Sequence, residues 1–247
     1  MSQRDSEPSS PSADRVIAIG RATLRNVDFR KARFDRFELA NCLFLSCDFR
    51  GVRLGKSFQP LFSARPRSYF RDCHFDDADL RRIDPGETRF EMCTFDDALL
   101  AGWPTEGAEF VSCRFAGSPG DVTFHGRPTG RIARQVHRKT NDFRDNDFID
   151  VDIADVTFVG GIDLDAQRLP SSDDLIRLDR FRQRVSGARR EISRWDYRDE
   201  RADALAMLDA LLTRYRDQDD VITPRVSKRG PSARVQIRVW SVLERMR

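Results

Sequence analysis

The sequence has few of the parts from which enzymes and membrane proteins are built. No apolar run approaches the roughly 18 residues of a membrane span. The opening MSQRDSEPSSPSAD carries proline, serine and charge where a secretory signal needs an apolar stretch. These absences set the expectation of a cytoplasmic protein that begins with a disordered tail over 1–19. Cysteine and histidine are scarce, at five and three, and there is neither a C-x-x-C pair nor a histidine at zinc-finger spacing from a cysteine. No metal and no cofactor is therefore expected. The G-x-S-x-G, H-E-x-x-H and G-x-x-x-x-G-K-[ST] patterns are missing as well. Acidic neighbours such as Asp76 and Asp77 could act as acid and base only beside a pocket, so the sequence reads as a non-enzyme. Charge of one sign is lacking too. A net +3 on a chain that is 34% charged gives no overall pull toward nucleic acid.

What the sequence does have is a register of five. Leu24, Phe29, Phe34, Leu39, Phe44, Phe49 and Leu54 follow one another at that spacing. After a break over 55–69 the series resumes one residue out of phase at Phe70, Phe75, Leu80, Phe90, Phe95, Leu100, Phe110 and Phe115. Phe124 stands alone, and Phe143, Phe148, Ile153 and Phe158 close the series. Of 18 phenylalanines, 14 occupy this one position, which excludes chance. Neither a strand of period 2 nor a helix of period 3.6 places every fifth residue on one face. A second period is nested in the first, since RDCHFDDADL at 71–80 and EMCTFDDALL at 91–100 are offset by twenty. Four fives that close a square would stack residues twenty apart, about 4.8 Å from one another, and bury each coil against its neighbours. All five cysteines (Cys42, Cys47, Cys73, Cys93 and Cys113) lie two residues before an inward Phe, where a small apolar side chain is needed. They are read as reduced core thiols.

The five-residue unit, with Leu or Phe preceded two positions earlier by a small residue, resembles the motif of the pentapeptide-repeat family. The triplet ADL at 78–80 and the C-x-F triplets from Cys42, Cys47, Cys73, Cys93 and Cys113 carry the likeness. The resemblance implies a mainly β fold, a right-handed quadrilateral β-helix over 20–168 with interruptions at 55–69 and 125–141. It also implies a class of partner, because some members bind type II topoisomerases, gyrase above all, by imitating duplex DNA with an acidic rod. Family members often dimerise through C-terminal elements, which makes the C-terminal helices a candidate homodimer face.

Recognition is to be sought in the outward residues, and their charge is banded. Residues 21–71 hold 12 basic and 4 acidic side chains, residues 72–126 hold 4 and 12, and 140–170 hold 2 and 8. Asp76 and Asp77 are expected to stack beneath Asp96 and Asp97, which makes these four the candidate acidic contact surface. The insert RPTGRIARQVHRK contributes Arg127, Arg131, Arg134, Arg138 and Lys139. Three fates are open to it: contact with a protein partner, nucleic-acid binding together with the basic N-terminal coils, or ion pairs with the acidic wall beside it. The function expected is a protein-interaction scaffold, with nucleic-acid binding as the alternative. Beyond 168 the pattern changes. Ser171 with Asp174 reads as a capping box opening a helix through Leu175, Leu178, Phe181, Val185 and Ile192. A second helix is expected over about 199–217, and in ARVQIRVWSVLERMR the alternation of Val235, Ile237 and Val239 fits a strand while Val239, Leu243 and Met246 fit a helix, the favoured of the two. Residues 169–247 are thus expected to form a helical cap and docking module, and the arginine content leaves a DNA-reading helix pair as a rival use.

Overall fold

The structure is a computed structural model and describes residues 16–32, 36–53, 67–81 and 83–246. Its N-terminal two thirds are parallel strands stacked on the twenty-residue register. One ladder holds six strands, Thr23–Arg25, Leu43–Leu45, Tyr69–Arg71, Arg89–Glu91, Glu109–Val111 and Phe143–Arg144. Phe70, Phe90 and Phe110 stand directly opposite one another in it. The two interruptions are absorbed without loss of register, because Phe44 still pairs with Phe70 and Phe110 with Phe143. Five residues on, a second ladder runs through Asp28, Asp48, His74 and Thr94 to the strands Arg114–Gly117 and Asp147–Val151. Arg53, Asp79 and Leu99 form a third. Val16–Gly20 with Arg36–Ala40, and Val122–His125 with Val156–Val159, form two further two-stranded parallel sheets. A paired strand is thus present from Val16, inside the segment expected to be a disordered tail; residues 1–15 and most of the 55–69 break lie outside the described residues.

The interior follows from the five-residue spacing. Phe29, Phe49, Phe75, Phe95, Phe115 and Phe148 form one column of rings, face to face at centroid distances of 4.5, 5.0, 5.1, 4.9 and 4.7 Å. Phe44, Phe70, Phe90 and Phe110 form another at 4.5, 5.4 and 5.2 Å. Ring spacing matches strand spacing, so each coil places its ring on the one below. Between columns the rings meet edge to face, as with Phe70 and Phe75 at 5.5 Å. The five thiols are buried and unpaired. Each thiol donates to a backbone carbonyl, and Cys73 Sγ also accepts from the Cys47 amide at 3.4 Å. Farther along the same column the thiol gives way to amides, with Asn146 Oδ1 accepting from Cys113 N and Gln167 Oε1 from Asn146 N.

Turning the chain requires an unusual backbone. Arg21, Asn26, Asn41, Ser46, Asp72, Asp77, Met92, Asp97, Ser112 and Asp145 all have φ between 51° and 58°. Each lies three residues before an inward Leu or Phe. The left-handed conformation costs about 1–2 kcal/mol for an ordinary residue and is least unfavourable for Asn and Asp, whose short side chains bond locally. Six of these ten corners are Asn or Asp.

The C-terminal segment corrects the sequence-based expectation at its start. Leu175–Leu178 is a strand, antiparallel to Val221–Pro224, which lies in a stretch expected to be a break between helices. The Ser171 capping box does not form: Ser172 Oγ accepts from Asp174 N at 3.0 Å and turns the chain into the strand instead. Leu175 and Phe181 do sit at helical spacing, but Ile176 and Leu178 are buried on either side of exposed Arg177, and this alternation wins. Helix α1 is the single turn Gly130–Ala133 inside the insert. Helix α2 spans Phe181–Ile192, α3 Arg198–Arg214 and α4 Ala233–Arg245, so the second and third expected helices are present. These three helices share a core of their own. Ile222, Leu169 and Leu175 pack instead on the phenylalanine core and cover its end. Gln218 completes the closure: its Oε1 accepts from the amides of Gly161 and Ile162, and its Nε2 donates to the Ile162 carbonyl.

Position within the ring column should set the cost of truncation. Phe95→Ala, between Phe75 and Phe115, is expected to lose about 3–5 kcal/mol. Phe29→Ala, 8% exposed at the near end, should lose less. Urea unfolding of both variants, read by far-ultraviolet circular dichroism, checks the ranking.

Candidate functional site

The nine residues singled out in the sequence fall in two places, and the structure does not bring the two sets together. The acidic four do stack. The in-register bridges His74–Thr94 and Asp79–Leu99 put Asp76 beside Asp96 and Asp77 beside Asp97. Asp77 and Asp97 are left-handed corners, so backbone geometry alone already favours Asp there. Between them the carboxylates are partly used. Asp76 Oδ1 accepts from Asp96 N at 3.0 Å, and Arg114 bridges Asp96 at 3.1 Å and Asp150 at 3.2 Å. Burial pushes the Asp96 carboxyl up against the pull of Arg114, and the neighbouring Asp76 and Asp97 add to the rise. Gly117 follows Asp97 in this corner, and a Cβ there would fall 2.0 Å from Asp97 Oδ1. The absence of a side chain at Gly117 leaves room for that carboxylate. Asp152, whose amide donates to the Gly117 carbonyl, continues the edge. The result is an acidic corner running along several coils, with Asp77 and Asp97 exposed.

The basic insert lies against a different face. Arg138 reaches Glu109 at 3.2 Å and Glu87 at 3.9 Å, and donates to the Gly107 carbonyl and to Asn141 Oδ1. Burial pulls its guanidinium down from its ordinary value, while Glu109 and Glu87 oppose this. Asn141 ties the end of the insert down through its Nδ2, which donates to the carbonyls of Glu106 and His125. Thus, of the three fates open to the insert, Arg138 adopts the ion pair with the acidic wall. Arg127, Arg131, Arg134 and Lys139 are exposed.

Sequence reasoning missed the centre of this arrangement. Glu109, with a side chain only 6% exposed, receives Arg67 at 2.7 Å and Arg89 at 3.2 Å as well as Arg138. Arg89 also binds Asp142 at 2.8 Å. A cleft of ≈ 680 Å³ opens beside them, lined in part by Tyr69, Gln135 and His137. The twenty-residue register held half the signal, since Arg89 and Glu109 are opposite one another in the first ladder. Arg138 comes from irregular chain and could not be placed by period. Every carboxylate of the cluster faces a guanidinium, so the arrangement works as an ionic latch on the insert. Among the described residues no group of three or more His, Cys, Asp or Glu is placed to hold a metal ion.

Part of the basic charge of the N-terminal coils is paired. Arg30 and Arg50, and Arg81 in the following band, each fold onto the Asp two residues earlier, with Nη2 to Oδ2 distances of 2.8, 2.6 and 2.7 Å. In each pair the Asp also accepts the backbone amide of its arginine, closing a clasp around the inward residue between them. The side-chain hydrogen bond from arginine holds Asp28 down to about 2 and lowers Asp48 and Asp79 in the same way.

No protein-family model matches this sequence, and comparison with curated proteins finds no match. Solved structures of QnrB1, a plasmid-mediated fluoroquinolone resistance protein, are similar in part. A trypsin-treated form is 16% identical over 62% of this chain and 82% of its own, with a TM-score of 0.29. The full-length form is 15% identical over 62% of this chain and 91% of its own, with a TM-score of 0.22. The strand pairing, and not these superpositions, defines the architecture. Among the described residues, no helix is long and apolar enough to cross a membrane.

Two outcomes follow from the charges. Glu109→Ala leaves three guanidinium groups without their shared partner and should cost about 3–5 kcal/mol. It should also speed tryptic cleavage within 127–139, read by mass spectrometry, whereas Asp77→Asn should leave that cleavage rate unchanged. The clasps predict acid sensitivity. Their folded-state pKa values lie below the unfolded value of about 3.9, so their stabilisation is complete above that pH and is lost as pH falls through the folded values. Urea midpoints at pH 5 and pH 3 should differ less in the triple variant Asp28→Asn, Asp48→Asn, Asp79→Asn than in the parent.

Proposed function

We propose that the chain is a non-catalytic recognition rod of the pentapeptide-repeat type, a right-handed quadrilateral β-helix, that docks a protein partner through its acidic corner. The observation that carries this reading is the corner of Asp76, Asp77, Asp96 and Asp97, continued by Asp150 and Asp152 on a scaffold that cannot bend away. Fixed carboxylates at ladder spacing present a linear negative field, which attracts a basic groove more than a scattered surface of equal charge does. The groove in a nucleic-acid-handling enzyme that normally holds duplex DNA has the complementary charge and shape. A type II topoisomerase, gyrase in particular, is the concrete candidate that the resemblance to the family supplies. Direct nucleic-acid binding is the second reading; within the basic N-terminal coils the clasps pair Arg30 and Arg50 with their own aspartates and so withdraw these two from it.

The test is retention of the purified chain on immobilised gyrase, alongside duplex DNA binding titrated across salt. Retention that falls at least tenfold in the Asp76, Asp77, Asp96 and Asp97 to Asn variant, about 1.4 kcal/mol or more, supports the reading. Undiminished retention by that variant, or no retention by the parent, sinks it. A duplex affinity that falls steeply with salt would replace it with the DNA-binding alternative.

A further inference from the structure

The two ends of the stack are built differently. At the far end Leu169, Leu175 and Ile222 pack on the phenylalanine core. At the near end no such cover is present among the described residues. Ile19, Ala22, Leu24 and Val27 are only half-buried there, although they pack against the same core. Their counterparts one coil on, Leu39, Cys42, Phe44 and Cys47, are at most 1% exposed.

The backbone at this end is equally unfinished. Among the described residues Thr23–Arg25 is the outermost strand of the six-stranded ladder, and Val16–Gly20 pairs on one side alone, with Arg36–Ala40. The direction of the free groups follows from the register. Leu43 N donates to Ala22 O and Tyr69 N to Cys42 O, so in its own coil the Thr23 amide points out of the end. The Asp28 amide repeats the case, since Asp48 N donates to Val27 O and His74 N to Cys47 O. Unpaired strand edges beside apolar side chains invite another strand. Residues 1–15 have no Val, Ile, Leu or aromatic residue to lay over this face, and Pro8 and Pro11 cannot donate to a ladder.

We propose that this end face is covered by the same face of a second copy of the chain. A two-fold axis sets the facing edge strands antiparallel, which lets their amides and carbonyls pair across the junction. The size is adequate, because a coil of twenty residues comes to about the 20–30 residues a side of a stable interface. Since the far end of each stack is closed, association stops at two copies and builds no filament. One force opposes it. Arg21, Arg25 and Lys31 are exposed on the rim of the first coil and come near those of the other copy. Salt screens these like charges and should tighten the contact.

Sedimentation equilibrium of the full chain tests this. A monomer–dimer equilibrium is expected below about 100 µM, tighter at about 500 mM salt than at about 50 mM. Thr23→Pro removes an outward amide while leaving the chain's own ladder bonds in place, and should weaken association about tenfold or more. Leu24→Glu, which puts a charge on the covered face, should abolish it. Ile237→Glu, at an exposed position of α4, should leave it unchanged. Circular dichroism shows whether each variant is folded. A parent that stays monomeric at about 100 µM would overturn the proposal and return cover of the end to the chain's own residues. So would association unchanged in folded Thr23→Pro or folded Leu24→Glu, or association lost in folded Ile237→Glu. Association that weakens with salt would overturn it as well, being the mark of an acidic corner meeting a basic surface.

Discussion

The match between the centroid spacing of stacked phenyl rings and the spacing of strands governs this molecule. Parallel strands lie about 4.8 Å apart, and offset-stacked phenyl rings set their centroids at nearly the same distance. A column of phenylalanines can therefore climb the interior at one ring per coil, as Phe49, Phe75, Phe95 and Phe115 do. Sliding or tilting one coil would break its ring contacts on both sides. The small position two residues earlier, the left-handed corners and the outward charges are all set by this spacing. A bulkier apolar side chain at Cys73 or Cys93 would crowd the neighbouring backbones, whereas Asn146 and Gln167 fit farther along because their amides bond to the adjacent coil.

The same rigidity shapes the electrostatics. An outward residue cannot move away from its counterpart one coil up, so charge on the surface is managed by pairing or left as a field. The chain does both. Asp28, Asp48 and Asp79 are closed by an arginine two residues on, and Glu109 is enclosed by arginines from two coils and the insert. Along the corner of Asp77 and Asp97 the like charges stay aligned, with Arg114 as a single bridge between Asp96 and Asp150. Carboxylates here serve the turn as well as the surface, because the left-handed backbone suits Asp.

The repeat was legible in the sequence because its signal is periodic and redundant. A phase of five repeated through most of the chain survives two breaks, and Phe44 finds Phe70 despite the first of them. The stacking of Asp76 on Asp96 could be read for the same reason. Where the period ends, so does the legibility. Leu175, Leu178 and Phe181 satisfy a helix on paper, yet Ile176 and Leu178 are claimed by the pairing with Val221–Pro224, a partner more than forty residues away. The enclosure of Glu109 was hidden likewise, since Arg138 reaches it from an insert with no register. The clasps were visible as recurring D-x-R triplets and were counted as separate charges. Only the folded coil shows that the two side chains meet.

Those clasps bear on how such a chain can lengthen. Each holds its opposite charges within three consecutive residues, so a clasp copied in a tandem duplication brings its own counterion and asks nothing of the coil beside it. Asp76 and Asp77 share a coil with the Asp79–Arg81 clasp, so a copy of that coil would extend the acidic edge and carry a closed pair at once. Growth of the stack and growth of its surface field are coupled there.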